Sequence, residues 1–329
     1  MTVPGLVTAF PDDAAREAGV AALRALDATP TAIESVPRGN RKRTAIARFD
    51  DRDDVAVQVC PEGEWLRTET ALLRAIRGRT GVPVPSVLAA GDHGGVAYLV
   101  TGYVSGEDLH DRFTSLEGGT QRALARWFGG VLGQLHAAFT FDGYGPLGLV
   151  DDTLTATHDD WHRWFEGYAT RAIGRLPGAF DDLRPSLHAT VTDRPTTSPR
   201  ARLFPWDFRP GNALIADGAV AAVVDWEAPL AAAPALSVAK AEYLVADWYV
   251  DDADPLRHAF REGYAEGRPY PTVHPAHRVV AIAESAVDST GTVTNPGYPP
   301  VDESAAVAFH RDALSAAVDC VGDSSRSFG

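Results

Sequence analysis

Two residue types that soluble proteins usually spend freely are scarce in this chain. Cysteine occurs twice, at Cys60 and Cys320. Thiols so few and so far apart supply neither a disulfide framework nor a zinc cluster, and they suit a reducing compartment. Lysine also occurs twice, at Lys42 and Lys240, so arginine carries almost all of the positive charge. Long apolar runs are missing as well. The longest, residues 219–226 and 96–100, fall far short of the roughly 20 residues that cross a bilayer. The segment MTVPGLVTAFPDDAAREAG has acids where a secretory signal is apolar, and no basic start. A cytoplasmic protein without a membrane span is expected.

What is abundant is acid. Asp and Glu number 44 against 30 Lys and Arg, a formal charge of −14. Such a surface repels nucleic-acid phosphates and anionic lipids, which argues against both as partners. An Asp- and Ala-rich, Lys-poor composition also fits a surface that stays soluble in concentrated salt, so a halophilic source is expected. Hydrophobic residues make up 45% of the 329, enough for a sizeable core. The length suits two lobes of roughly 100 and 220 residues.

Residues 11–28 put Ala18, Val20, Leu23 and Leu26 at near-helical spacing, and Thr29 with Pro30 stops that helix. Three β-rich runs follow at 32–36, 44–49 and 55–59, separated by RGNRKR and DDRDD, and read as an antiparallel meander. Over 62–77, Leu66, Glu69, Leu72, Leu73 and Ile76 form one stripe, so this helix carries an acid on its buried side. Runs at 86–90 and 96–102, joined by GDHGG, read as a hairpin. Beyond TGYVSGEDL, helical periodicity dominates, at 116–138, 159–176, 236–250, 255–266, 275–288 and 302–321. Strand-like runs interrupt it at 213–215 and 219–225, and 193–202 and 291–304 read as loops. The expected organisation is an N-terminal lobe over 1–102 and a mainly helical lobe over 103–329.

The most informative stretch is LFPWDFRPGNALIADGAVAAVVDWE, residues 203–227. Asp207 is followed five residues on by Asn212, Asp217 and Gly218 reverse the chain, and Asp225 ends the returning strand. The hairpin would bring Asn212 and Asp225 close together. Magnesium takes oxygen ligands and commonly one or two protein carboxylates plus phosphates, so this pair makes a plausible metal seat. Asp207, on the preceding loop, is placed to orient a substrate hydroxyl.

The pattern D-x-x-x-x-N followed by a strand ending in D-W-E resembles the catalytic and metal-binding segments of the aminoglycoside phosphotransferase and choline kinase group, relatives of the protein kinases. The likeness spans about residues 30–250. It implies an α+β, bilobal protein-kinase-like fold, with a small antiparallel β-sheet N-lobe and a mainly α-helical C-lobe. It implies Asp207 as the catalytic aspartate and Asn212 and Asp225 as ligands of Mg2+. Gly39 and Asn40 fall where the family covers the phosphates, and Gly39 would let the backbone approach them. Glu69 falls where a helix glutamate pairs with a strand lysine. TGYVSGEDL resembles the linker, whose Tyr103 and Val104 would line the base pocket. LGQLHAAF, residues 132–139, resembles the helix that ends in Leu-His.

The chain also departs from the pattern. Gln58 stands on the third strand where the family usually has lysine or arginine, and an amide neither steadies phosphates nor pairs with Glu69. Pro205 stands two residues before Asp207 in place of a histidine, and Ala233 and Ser237 replace acids that follow D-W-E. RGNRKR, with Arg38, Arg41, Lys42 and Arg43, is the densest basic cluster in the chain, and one of these side chains is a candidate for the missing charge. Plainer alternatives exist. Asp207, Asn212 and Asp225 suit turns and strand ends, Glu69 suits a solvated helix face, RGNRKR suits a solvated turn, and His136 suits a core or capping position.

The function that the resemblance implies is transfer of the γ-phosphate of ATP or GTP to a hydroxyl of a small aminoglycoside-, choline- or sugar-like molecule. Asp247, Asp251, Asp252 and Asp254 would suit a cationic acceptor. The alternative is a kinase-like protein that binds nucleotide or metabolite without useful transfer, as a regulator or scaffold. Either would act as a monomer or homodimer.

Overall fold

The computed structural model describes residues 3–36, 41–295 and 301–326. Its contacts gather the chain into two compact units. The first comprises Met1–Glu107, Leu147–Thr155 and Ala213–Pro229, and the second Asp108–Pro146, Ala156–Asn212 and Leu230–Gly329. The chain begins with α1 (Leu6–Ala9), α2 (Asp13–Arg24), β1 (Ala32–Val36), β2 (Arg43–Arg48), β3 (Val55–Cys60), α3 (Gly63–Arg79), β4 (Val87–His93) and β5 (Val96–Gly102). It continues through β6 (Glu107–Asp108), α4 (Leu109–Phe113), α5 (Gly118–Ala138), β7 (Thr140–Phe141), β8 (Tyr144–Val150), β9 (Thr153–His158), α6 (Trp161–Arg175) and α7 (Arg184–Thr192). Then come β10 (Ala201–Phe204), β11 (Ala213–Ala216), β12 (Ala219–Val223), β13 (Leu230–Ala232), α8 (Pro234–Glu242), α9 (Asp254–Gly267), α10 (Pro275–Ser285) and α11 (Glu303–Arg326).

In the first unit, β1 to β5 form one sheet in the order β1-β2-β3-β5-β4, antiparallel throughout. Helix α2 starts where the Asp12 carboxylate accepts from Ala15 N at 2.8 Å, and it buries Ala15, Ala18, Ala22 and Leu23. It packs against β3, β4 and β5. On α3 the buried stripe is Leu66, Leu72, Leu73 and Ile76, with Glu69 among them. Burying one such leucine or isoleucine is worth about 1.5–3 kcal/mol, so the docking of α3 is robust enough to carry one buried acid. β11 and β12 turn at Asp217 and Gly218, whose φ values of 52° and 78° give the tight hairpin that follows strand twist. Val223 N donates to Pro83 O at 2.9 Å and fastens this hairpin to the segment after α3. β12 stops short of Asp225, which takes a left-handed φ of 61° that a strand cannot accommodate.

In the second unit, α5 and α9 lie backbone against backbone. A Cβ on Gly129 would sit 1.9 Å from Phe260 O, and one on Gly263 would sit 1.9 Å from Arg126 O. Glycine alone allows that approach. Helix α10 runs among α6, α7, α8 and α11, so most helical faces of this unit converge on it. Short strands β7, β10, β13 and β8 pair antiparallel in that order.

The expected α+β class, with an antiparallel sheet followed by a mainly helical remainder, is the observed one. Helix α7 and the strands β7 to β10 and β13 are additions, too short or too weakly patterned to stand out in the sequence. The helix expected over 236–250 starts two residues earlier, at Pro234, and widens after Glu242 into a π-helical turn over Tyr243–Asp247. No helix among the described residues is long and apolar enough to cross a membrane.

Candidate functional site

The first unit holds a cavity of about 320 Å³, a volume suited to a small ligand. Gln58, Glu69, Tyr103, Val104 and Asp225, all singled out in the sequence, line it together. Ile46, Ala56 and Leu214 make its apolar walls. Tyr103 and Val104 follow directly on β5, and Tyr103 N is held by Asp54 O at 3.0 Å. Gly39 and Asn40, expected to cover phosphates, lie outside the described residues, as does Arg38.

At the charged end of the cavity stands Lys42. Its Nζ donates to both oxygens of Glu69, at 2.9 and 2.8 Å, and lies 2.9 Å from Asp225 Oδ1. The reason is strand parity. Lys42, Thr44 and Ile46 alternate toward one face of β2 and all reach the cavity, while Ala56 and Gln58 reach it from β3. Thr44 pairs with Gln58 in the ladder, so a lysine just ahead of Thr44 enters the space beside the Gln58 side chain. Only 10% of the Lys42 side chain and 5% of the Glu69 side chain remain exposed. Burial works against the ammonium, but Glu69 and Asp225 outweigh it and raise its pKa, so Lys42 is charged at all working pH. Burial likewise raises the Glu69 carboxyl, against the pull of Lys42. Glu69 is therefore not a solvated acid. Of the other basic neighbours, Arg41 covers the Trp65 ring at 4.0 Å and Arg43 faces Asp12, so the cluster divides into three separate tasks. The missing strand charge is present, moved from β3 to the start of β2. Counting residues by twos back from Thr44 leaves Lys42 and Arg38 of the four basic residues, with Lys42 the nearer to the strand.

The second unit holds the loop after β10. Phe208 N bonds Pro205 O at 3.1 Å, and the Phe208 ring packs on Phe128, which seats the loop on α5. Asp207 Oδ1 accepts from Arg209 Nε at 2.8 Å. Asn212 Nδ2 donates to Asp207 O at 2.8 Å and Asp207 Oδ2 at 2.9 Å. Asp207 and Asn212 are thus brought together as one rigid turn. Burial would raise the Asp207 carboxyl, but the charges of Arg209 and Lys240 hold it below the usual range. Burial also opposes the Arg209 charge; Asp207 and Tyr249 restore it and raise its pKa. No spacing or motif points to Arg209 or Lys240 at this site. His136 is fully buried, with Nδ1 2.8 Å from Tyr264 Oη and Nε2 3.1 Å from Ser237 Oγ, and burial brings its pKa down to about 3. It is a neutral core residue, and Ser237 serves it as a partner.

Taken one by one, Asn212 and Asp225 are oxygen donors of the kind magnesium takes. Asn212 commits its amide nitrogen to Asp207, so the carbonyl oxygen is the atom not used in those bonds. Asp225 keeps 39% of its side chain exposed. No group of three or more His, Cys, Asp or Glu among the described residues could cage a metal by itself. A divalent cation at either donor would need further oxygens from phosphate and water, which is how magnesium is usually bound. Two of the four acids expected to attract a cationic acceptor are engaged: Arg257 binds Asp247 and Asp254.

The model of the phosphotransferase enzyme family matches residues 32–276, and the chain belongs to that family. A comparison with curated proteins returned no match. Among solved structures, a thermostable mutant of the aminoglycoside phosphotransferase APH(4)-Ia, in ternary complex with ADP and hygromycin B, is similar at a TM-score of 0.62 and 16% identity, covering 91% of this chain and 97% of that one. A GDP complex of a mutant of the aminoglycoside 2'-phosphotransferase-IIIa gives 0.54 and 14%, covering 98% and 96%. A protein from Haemophilus somnus 129PT, provisionally named a fructosamine-3-kinase, gives 0.58 and 13%, covering 91% and 96%. At such identities the likeness establishes the shared fold, that of the kinase-like phosphotransferases.

Proposed function

We propose that the chain is a small-molecule kinase that moves the γ-phosphoryl group of ATP or GTP to a hydroxyl. The observation that carries this reading is Lys42, held between Glu69 and Asp225 at the polar end of a cavity of about 320 Å³. In this role Lys42 replaces the charge that Gln58 lacks and steadies the α- and β-phosphates, while Glu69 fixes where its ammonium stands. Tyr103 and Val104 would flank the base, and the reading assigns cover of the phosphates to Gly39 and Asn40, which lie outside the described residues. The lobe over 1–102 binds the nucleotide, and the lobe over 103–329 presents the acceptor.

Asn212 and Asp225 would hold magnesium, which when bound neutralises phosphate charge and helps align the phosphate oxygens. Asp207 accepts a hydrogen bond from the acceptor hydroxyl and orients it for attack. Because Arg209 and Lys240 keep it anionic and weakly basic, Asp207 contributes by orientation first, and takes the proton only as the new bond forms. With Asp247 and Asp254 tied to Arg257, neutral polyols belong beside amino alcohols and aminoglycosides as acceptors to be tried.

A second reading, nucleotide binding without transfer, draws on one observation: Arg209 already engages the Asp207 carboxylate. One assay separates the two. Transfer of labelled γ-phosphate from ATP and from GTP is measured with magnesium across polyols, amino alcohols, sugars and aminoglycosides, for the natural protein and Asp207→Asn. Transfer that the variant loses by about a hundredfold or more supports the kinase. Magnesium-dependent nucleotide binding with no transfer to any acceptor or to water supports the second reading.

A further inference from the structure

Lys240 is the other lysine, and its position is costly. It lies on α8 between Ala239 and Ala241 and is 2% exposed. Its Nζ makes a long hydrogen bond, 3.5 Å, to Glu284 O on α10, and stands 4.0 Å from the centroid of the Trp206 ring. The groups whose charge reaches it are Glu284 on α10, Asp207 and Arg209 on the loop, and Arg175 on α6. Tyr168, also on α6, accepts from Trp206 Nε1 at 3.1 Å. A leucine at 240 would remain among apolar neighbours without the desolvation that an ammonium suffers there. Trp206 is the residue immediately before Asp207, and it is gripped on its face by Lys240 and at its edge by Tyr168. A cation against a desolvated indole face is among the stronger contacts of its kind.

We propose that Lys240 is a positioning residue for the loop that carries Asp207: its ammonium pins the Trp206 ring and so keeps the adjacent Asp207 carboxylate aimed. The proposal rests on Asp207 being the group that orients the acceptor. It makes Lys240 a residue that costs stability and returns alignment. Burial lowers its pKa to about 8, so the pin loosens as pH rises through that value.

The test uses the scarcity of lysine. In protein labelled with 13C,15N-lysine, two side-chain signals arise, and Lys240→Met identifies which belongs to residue 240. The Lys240 signal is expected at a ring-shifted position that Trp206→Leu abolishes. Its titration midpoint is expected to fall by roughly one pH unit in Asp207→Asn. Lys240→Met is expected to melt no lower than the natural protein, yet to lower kcat for magnesium-ATP or magnesium-GTP turnover to water by roughly ten- to hundredfold. KM for the nucleotide stays unchanged, and the alkaline limb near pH 8 disappears. A Lys240 signal indifferent to both loop variants, or a Lys240→Met protein with unchanged kcat, overturns the proposal. The spectra need no turnover, so a natural protein that transfers phosphate neither to any acceptor nor to water would sink the proposed function while the signals still decide the pin.

Discussion

Replacing Lys42 by methionine removes, among the described residues, the cation that pairs with a buried carboxylate. Lys42 and Glu69 are 10% and 5% exposed, so the pair is desolvated on both sides. Taking one partner from such a pair costs about 3–5 kcal/mol, because the other charge stays behind without compensation. The second contact, to the more exposed Asp225, adds about 0–1 kcal/mol. At about 2–4 °C of Tm per kcal/mol, Lys42→Met is expected to melt about 6–24 °C below the natural protein. Glu69→Gln alone should also destabilise. The double variant should recover most of the loss, since neither charge then remains buried. The pH dependence has a definite sign. In Lys42→Met, burial acts on Glu69 unopposed and its folded pKa rises further, so folding takes up a proton and the deficit shrinks as pH falls toward the acid range. The assay is urea unfolding of the four proteins at pH 5 and pH 7.5. A Lys42→Met protein within about 0.5 kcal/mol of the natural one, or a double variant whose losses simply add, would refute the reasoning.

Other outcomes follow from the same geometry. Asp225→Ala should abolish magnesium-dependent stabilisation by ATP and GTP in a thermal-shift titration while leaving a folded protein, and unchanged stabilisation would remove Asp225 from the metal. Moving the lysine back, as Lys42→Gln with Gln58→Lys, should restore most of the stability lost in Lys42→Met, because position 58 opens into the same cavity; no recovery by unfolding would mean that the two positions do not serve one Glu69. Gly129→Ala should destabilise by at least about 1–3 kcal/mol in denaturant, since its Cβ would meet Phe260 O at 1.9 Å and force α5 from α9.

Much of the first unit was legible before any coordinates. The stripe of Leu66, Leu72, Leu73 and Ile76 is periodic enough to define α3, and Asp217 with Gly218 is a strong hairpin signal because few residues accept positive φ in succession. The acid on that stripe was visible too, but its partner was not. Gln58 occupies the expected position on β3, and the lysine that does the pairing stands just ahead of the neighbouring strand, a relation fixed by the ladder and not by local pattern. Lys240 was less legible still. In SVAKAEY it reads as an ordinary helix lysine, and only the packing of α8 against the loop after β10 makes it buried. The short strands β7, β10 and β13 are two to four residues long, too brief for alternation to register. Arg209 lies two residues from Asp207, yet that it turns back onto the carboxylate is a property of the turn it sits in.

The most direct test of the central claim is calorimetric titration of ATP and GTP, with and without magnesium, into the natural protein and Lys42→Met, the latter at a temperature where it is folded. Magnesium-dependent binding of at least one nucleotide by the natural protein, lost or weakened by roughly a hundredfold in the variant, is predicted. Equal binding by the two proteins, or no binding by a folded natural protein, would contradict the claim that Lys42 is the phosphate-steadying cation of this site.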